Sequence, residues 1–221
     1  MYRWSNPFVS VSVAVLLTGC SFLRSTSPAP AVRTSTPPSA PAGSGRSAGG
    51  GVNPVPERAA QQYAEALRLM KSGRAADAEA EFKQMAAAYP AYAGPEVNLG
   101  LLYLQGSRLP EAEAAFTAAL ARNPDNAVAG NELGIVERKL GKFAEAESAY
   151  QRTIATEPDY APAYLNLGVL YDLYLAEPRK ALEQFEHYVQ LAGDNKQVAG
   201  WMAELRKRVG VSAPALKKEP A

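Results

Sequence analysis

Residues 96–124 read EVNLGLLYLQGSRLPEAEAAFTAALARNP, and residues 130–158, thirty-four places on, read GNELGIVERKLGKFAEAESAYQRTIATEP. The two stretches share Leu-Gly at 99–100 and 133–134, alanine at 112 and 146, an aromatic at 116 and 150, and proline at 124 and 158. Outward from this pair, the same register takes in Ala78, Phe82 and Tyr89-Pro90 on one side and Leu167-Gly168 on the other. A fixed period over so many unrelated positions marks a repeat architecture, in which each unit buries its apolar face only against its neighbours. Counted from Ala59, Ala93, Ala127 and Ala161, there are four units.

Each unit reads as a helix pair, helix A then helix B, joined by a short turn at Gly73, Gly106 or Gly141. The small residue at the eighth place (Ala66, Gly100, Gly134, Gly168) lets the two helices approach. Alanine at the twentieth place (Ala78, Ala112, Ala146) offers the matching flat spot on helix B. The aromatic four residues later lies one turn on, on the same face, and is expected to fill the space toward the next unit. Proline then ends helix B, because it has no N–H to donate and cannot continue the helix. Glu65 and Ala66 in unit one suit a terminal unit with one wet face. Unit four carries one extra residue in LYLAEPRK, after which Ala181 and Phe185 restore the register, and Pro178 falls in a first helical turn where it is tolerated. Beyond Asp194-Asn195, KQVAGWMAELRKRVG predicts a ninth helix. Its Val198, Trp201, Met202 and Leu205 would cover the open end of unit four, with Arg206, Lys207 and Arg208 left in water.

From about Ala59 to Val209 this pattern resembles the tetratricopeptide repeat. The resemblance implies an all-α fold, a right-handed superhelix of four helix pairs (about 59–92, 93–126, 127–160 and 161–195, within 57–195) plus a C-terminal capping helix over 196–209, followed by a tail over 210–221. Gly130 and Glu137 depart from it, at two places commonly aromatic in that family. The family's A helices line a concave groove. Carried over, unit one supplies Tyr63, Leu67 and Met70, and unit two supplies Val97, Asn98, Leu101 and Leu104. Unit three supplies Val128, Asn131, Ile135, Arg138 and Lys139, and unit four Leu165, Asn166, Val169 and Asp172. A groove apolar in its N-terminal half and mixed further on suits an amphipathic helix or an extended peptide. The plainer alternative is that Leu67, Leu101 and Ile135 pack between neighbouring A helices. The family's clamp for a peptide carboxylate is not matched: its slots hold Tyr63, Leu67, Asn98, Val128 and Glu132, and only Asn98 agrees. Chaperone tails are thus disfavoured, and Asn98 is left to hold the backbone of a bound strand.

The inventory of chemical groups is poor. The single histidine, His187 in QFEHYVQL, lies beside Glu183 and off the Phe185–Val189 apolar stripe, as a solvated residue would. One histidine and one cysteine make no His/Cys metal cluster. The pairs Glu79/Glu81, Glu111/Glu113 and Glu145/Glu147 recur early in each helix B, where acids favour the helix dipole. Gly49-Gly50-Gly51 has no strand or helix beside it to build a phosphate cradle. No active site and no cofactor are implied, and the chain reads as a binding protein rather than an enzyme. Glu57 to Val209 holds 17 basic and 21 acidic residues, a formal charge of −4, which argues against duplex nucleic acid as a partner.

The N-terminal quarter differs. Val9 to Leu17 (VSVSVAVLL) is an uncharged run of signal-core length, too short to span a bilayer. It leads into Leu17-Thr18-Gly19-Cys20, and Cys20 is the only cysteine. Residues 21–56 hold three arginines, no acid, and 27 Pro, Gly, Ser, Ala or Thr among 36, a linker composition. Leu-Thr-Gly-Cys resembles the lipobox of bacterial lipoproteins. That resemblance implies a signal peptide over 1–19, cleavage before Cys20, and acylation of its thiol and new amino group; the lipidated cysteine and linker would occupy 20–56. Three acyl chains, at roughly 0.8 kcal/mol per buried CH₂, anchor far more firmly than one. Ser21, where enterobacterial lipoproteins retained at the inner membrane carry aspartate, implies export to the outer membrane. A 36-residue tether of this composition reaches about 30–36 Å root-mean-square. The expectation is therefore a non-enzymatic, outer-membrane-anchored periplasmic scaffold or adaptor that binds a protein or peptide partner. Similar lipoproteins serve in assembly of envelope machines such as type IV pili. The alternative is an accessory to peptidoglycan-processing enzymes or proteases, which would need aromatic platforms, and Tyr63 is the strongest candidate for one.

Overall fold

The computed structural model describes residues 55–210, so the signal peptide, Cys20, nearly all of the linker and the tail beyond Gly210 lie outside the described residues. Those described form nine α-helices and no strand: α1 (Glu57–Lys71), α2 (Ala75–Ala88), α3 (Gly94–Gln105), α4 (Leu109–Arg122), α5 (Ala127–Lys139), α6 (Phe143–Thr156), α7 (Ala161–Leu173), α8 (Pro178–Ala192) and α9 (Lys196–Val209). Each helix packs on the next from α1 through α9, and α5 also touches α3 and α7. The result is the all-α superhelix of four helix pairs closed by a ninth helix.

The turns between A and B helices share one backbone device. A residue with positive φ stands at the same place in every unit: Gly73 (φ 78°), Ser107 (φ 57°), Gly141 (φ 78°) and Ala176 (φ 54°). Gly106 is therefore not the counterpart of Gly73 and Gly141. It ends α3 at φ −78°, and the left-handed step falls on Ser107, a residue that strains to make it. The extra residue in unit four moves that step to Ala176 without removing it.

The aromatic of helix B does not point toward the next unit as expected. It fills the hollow left by the glycine of its own helix A. A Cβ built on Gly100 would lie 2.6 Å from the Phe116 ring, on Gly134 2.6 Å from Tyr150, and on Gly168 2.5 Å from Phe185. Phe82, Phe116, Tyr150 and Phe185 are the largest fully buried side chains among the described residues. At roughly 1.5–3 kcal/mol of transfer free energy each, they are the main apolar content of the four pairs. Gly130 departs from an aromatic for a local reason: a Cβ there would lie 2.2 Å from the Thr153 hydroxyl, which donates to Ala149 O at 2.9 Å.

The ninth helix caps the stack as expected, with one correction. Asn195 Oδ1 accepts from the backbone N–H groups of Gln197 and Val198, starting the helix. Val198, Met202 and Leu205 are buried, and the Trp201 ring lies 5.5 Å from that of Phe185. Arg206 and Arg208, however, are not simply left in water. Arg206 donates to Glu186 at 2.8 Å and Arg208 donates to Asp172 of α7, so the cap is fastened at its basic edge as well as its apolar face.

Candidate functional site

The A helices α1, α3, α5 and α7 present a row of half-buried side chains: Leu67 and Met70, Leu101 and Leu104, Val128 and Ile135, Leu165 and Val169. Each packs one edge against the core and keeps the other open. Packing between neighbouring helices and a surface for a ligand are thus two sides of the same residues. Lys139 is exposed at the end of α5.

Four of the expected groove residues are not on that surface. Val97, Asn98, Asn131 and Asn166 are buried, none more than 4 % exposed. Asn98 Nδ2 donates to Tyr63 OH at 2.6 Å and to Gly94 O at 2.9 Å, tying α3 to α1. Asn166 Nδ2 donates to Asn131 Oδ1 at 2.9 Å, tying α7 to α5. In both cases the partners are 35 residues apart, one more than the repeat. The physical reason is that adjacent A helices pack closely, so side chains along that seam meet the neighbouring helix before they meet solvent. Asn98 makes both donated bonds inside the protein, and its Oδ1 is buried without a partner, so it does not lie on the surface a ligand strand would meet.

Of the remaining polar candidates, Lys139 is exposed, while Tyr63, Arg138 and Asp172 are engaged. Tyr63 is half-buried; its ring meets Phe82 edge-on at 5.9 Å, and burial raises its phenol above the ordinary value against the Asn98 hydrogen bond. It is not an open aromatic platform. Arg138 Nη1 donates to Tyr174 OH at 3.1 Å, with the guanidinium 5.3 Å from the ring centroid. Asp172 is held by Arg208. The surface left for a partner is therefore chiefly apolar. His187 is exposed, its ring 5.4 Å from that of Tyr164.

The other polar pattern lies at the joints between units, and the sequence reading assigned it only to the helix dipole. Glu79 of unit one accepts from Tyr103 OH at 3.2 Å and from Arg108 Nη1 at 2.8 Å, both of unit two. Lys83, then Arg108 and Tyr103, hold the Glu79 carboxyl below its ordinary value. Glu113 accepts from Lys142 Nζ at 2.7 Å, and Glu147 from Tyr171 OH at 2.7 Å. One acid of each recurring pair is thus a staple to the next unit. The signal was present as a basic residue at 108 and 142, each 29 places after its acid.

Unit three breaks this polar pattern. Glu132 and Glu137 of α5 are 5 % and 8 % exposed, and Oε2 of each has no hydrogen-bond partner. Burial pushes both up to about 7; the Asn131 hydrogen bond opposes this at Glu132, while Glu113 and Glu145 add to it at Glu137.

A family model for the tetratricopeptide repeat matches residues 63–127 and 131–173. These units are tetratricopeptide repeats. No curated protein sequence matches the chain. Among solved structures, MamA is 22% identical, with 71% of this chain and 85% of that one covered at a TM-score of 0.63. Pseudomonas aeruginosa PilF is 21% identical over 70% of each chain, at a TM-score of 0.62. The first tetratricopeptide domain of Spaghetti (RPAP3), bound to an HSP90 peptide, is 22% identical over 53% of this chain and 93% of that one, at a TM-score of 0.51. At these identities the likeness is one of fold. The tetratricopeptide fold points to protein–protein interaction, and the half-open row on the A helices offers part of this chain's apolar surface, alongside the exposed Leu173, Tyr174 and Leu191.

Proposed function

We propose that the chain is a lipid-anchored periplasmic scaffold of the outer membrane. Cys20 is its acylated anchor, residues 21–56 its tether, and the A-helix row its docking surface for a protein or peptide partner. The observation that carries the docking reading is the half-open row Leu67, Met70, Leu101, Leu104 and Ile135, which faces out while Asn98, Asn131 and Asn166 beside it are buried and bonded between neighbouring A helices. Such a row takes the apolar face of an amphipathic helix or the alternate side chains of a strand. The anchor reading is supported by the order Leu17-Thr18-Gly19-Cys20 after an uncharged run. Assembly of an envelope machine such as a type IV pilus is the role we favour within this reading; the PilF likeness agrees with it at the level of fold. The accessory role at peptidoglycan loses its one supporting feature, since Tyr63 is packed on Phe82 and bonded to Asn98.

In-cell photo-crosslinking from Leu101, with the exposed Glu145 of α6 as the opposite-face control, tests the docking surface. One envelope protein captured from Leu101 and not from Glu145 is the expected result; capture from Glu145 alone overturns it. Metabolic labelling with a palmitate analogue tests the anchor. The label should be present in the native chain and absent from Cys20→Ala, and an unlabelled native chain overturns the anchor.

A further inference from the structure

Among the three tetratricopeptide joints, the middle one is built differently. At the eleventh place of helix A, units two and four carry Tyr103 and Tyr171, whose hydroxyls donate to Glu79 and Glu147 of the preceding unit. Unit three keeps the acceptor, Glu113, but supplies Glu137 where the tyrosine should be. Two carboxyls then face one position. Lys142 Nζ lies 2.7 and 2.9 Å from the two Glu113 oxygens and favours the ionised form there, which leaves Glu137 as the group to take a proton. Protonated, Glu137 has an O–H to donate, as the tyrosines do. Ionised, it is a buried charge whose Oε2 has no partner.

A second acid on the same helix repeats the problem. Glu132 is buried, receives one bond from Asn131 at 3.3 Å, and leaves Oε2 unpaired. The groups facing Glu137 are Glu113 of α4, Glu145, Arg152 and Tyr150 of α6, the last with its hydroxyl buried and unpaired, and Lys142 in the turn between α5 and α6. Those facing Glu132 are Asn131, Tyr150 of α6 and Tyr160 ahead of α7, all neutral. The helices α3 and α7, which also touch α5, bring one acid each, Glu96 and Asp172, and both are taken by arginines, Arg122 and Arg208.

We propose that the joint between repeats two and three is a pH-sensitive hinge, held closed when Glu137 is protonated and loosened when it ionises. Leu101 and Ile135 stand on α3 and α5, on opposite sides of this joint, so loosening it changes the spacing of the row they belong to. The sign follows from linkage. The Glu137 carboxyl is raised from the ordinary 4.5 to about 7 in the folded chain, so the folded form holds a proton the unfolded form has released. Its contribution is full below about 4.5 and is lost as pH rises through about 7.

Hydrogen exchange on the full chain, corrected for the intrinsic pH dependence of exchange, reads the hinge directly. Between pH 6 and pH 8 the opening of α4 amides should rise roughly tenfold, with no matching change in α1 and α8. Glu137→Gln should abolish that rise, and Glu132→Gln should leave it in place. Glu137→Tyr, which rebuilds the tyrosine joint, should also abolish it and guards against a poorly folded Gln variant. A native chain whose α4 amides do not respond to pH overturns the hinge. So does an equal response in α1 and α8, or a response that survives in the Glu137 variants.

Discussion

At the joint between repeats one and two, Tyr103 and Arg108 close on Glu79, and Lys83 completes the carboxylate's partners. The helix pairs on the two sides of the next joint share one plan: Phe116 and Tyr150 each fill the glycine hollow of their own pair, 2.6 Å from where a Cβ on that glycine would stand, and both turns step through positive φ. Only the polar positions differ, with Glu137 set before Glu113 and Glu132 left with an unpaired oxygen. The difference separates two jobs. Close packing of glycine on an aromatic sets the geometry of each helix pair, because a misfit there has nowhere to relax. The polar seam sets the conditions under which that geometry is stable, because its cost depends on protonation.

The comparison is broken most directly at the packing positions. Phe116→Ala should cost about 3–5 kcal/mol and Tyr150→Ala a similar amount, read by urea unfolding. A large disparity between the two would show that the helix pairs do not share one packing plan. Gly100→Ala and Gly134→Ala should each cost about 1–3 kcal/mol, since the added methyl meets a ring and not open space.

Polar exchanges sharpen the comparison at smaller scale. Glu137→Tyr should stabilise the chain by about 1–3 kcal/mol at pH 8, with the gain fading toward pH 5 as the native carboxyl takes up its proton. Thermal unfolding at the two pH values measures it, and a gain independent of pH would show that shape and not ionisation is responsible. The reverse change at the first joint, Tyr103→Phe, should cost about 0.5–1.5 kcal/mol, the usual range for one hydrogen bond. Smallest are the turns. Ser107→Gly and Ala176→Gly should each gain about 1 kcal/mol by relieving positive φ, and thermal midpoints of the single variants report this.

The fold was readable because its determinants recur. Leu-Gly, alanine, aromatic and proline at a constant spacing identify the helix pair, and Asn195 followed by Val198, Trp201, Met202 and Leu205 identifies the cap. The site was only partly readable. Leu67, Met70, Leu101, Leu104 and Ile135 lie on the half-open row, yet Val97, Asn98, Asn131 and Asn166 turned inward. A residue's place in the repeat says which helix it is on and roughly which way it faces. It does not say how closely the neighbouring A helix approaches, and that distance decides between a buried amide pair and an exposed one. Ser107 shows the same limit at short range: a glycine beside it drew the turn one residue early.

By itself, then, the sequence determined the number of helix pairs, their order, the cap and which positions are small and which aromatic. All of these rest on side-chain size and spacing within 34-residue units. Only the tertiary structure decided which aromatic fills which hollow, that Arg206 and Arg208 fasten the cap, and that one acid of each pair staples adjacent repeats. It also decided that Glu132 and Glu137 are buried on α5, each with an unpaired oxygen. Those outcomes depend on distances between residues of different repeats, and a carboxyl's environment is set by what folds against it, not by its neighbours along the chain.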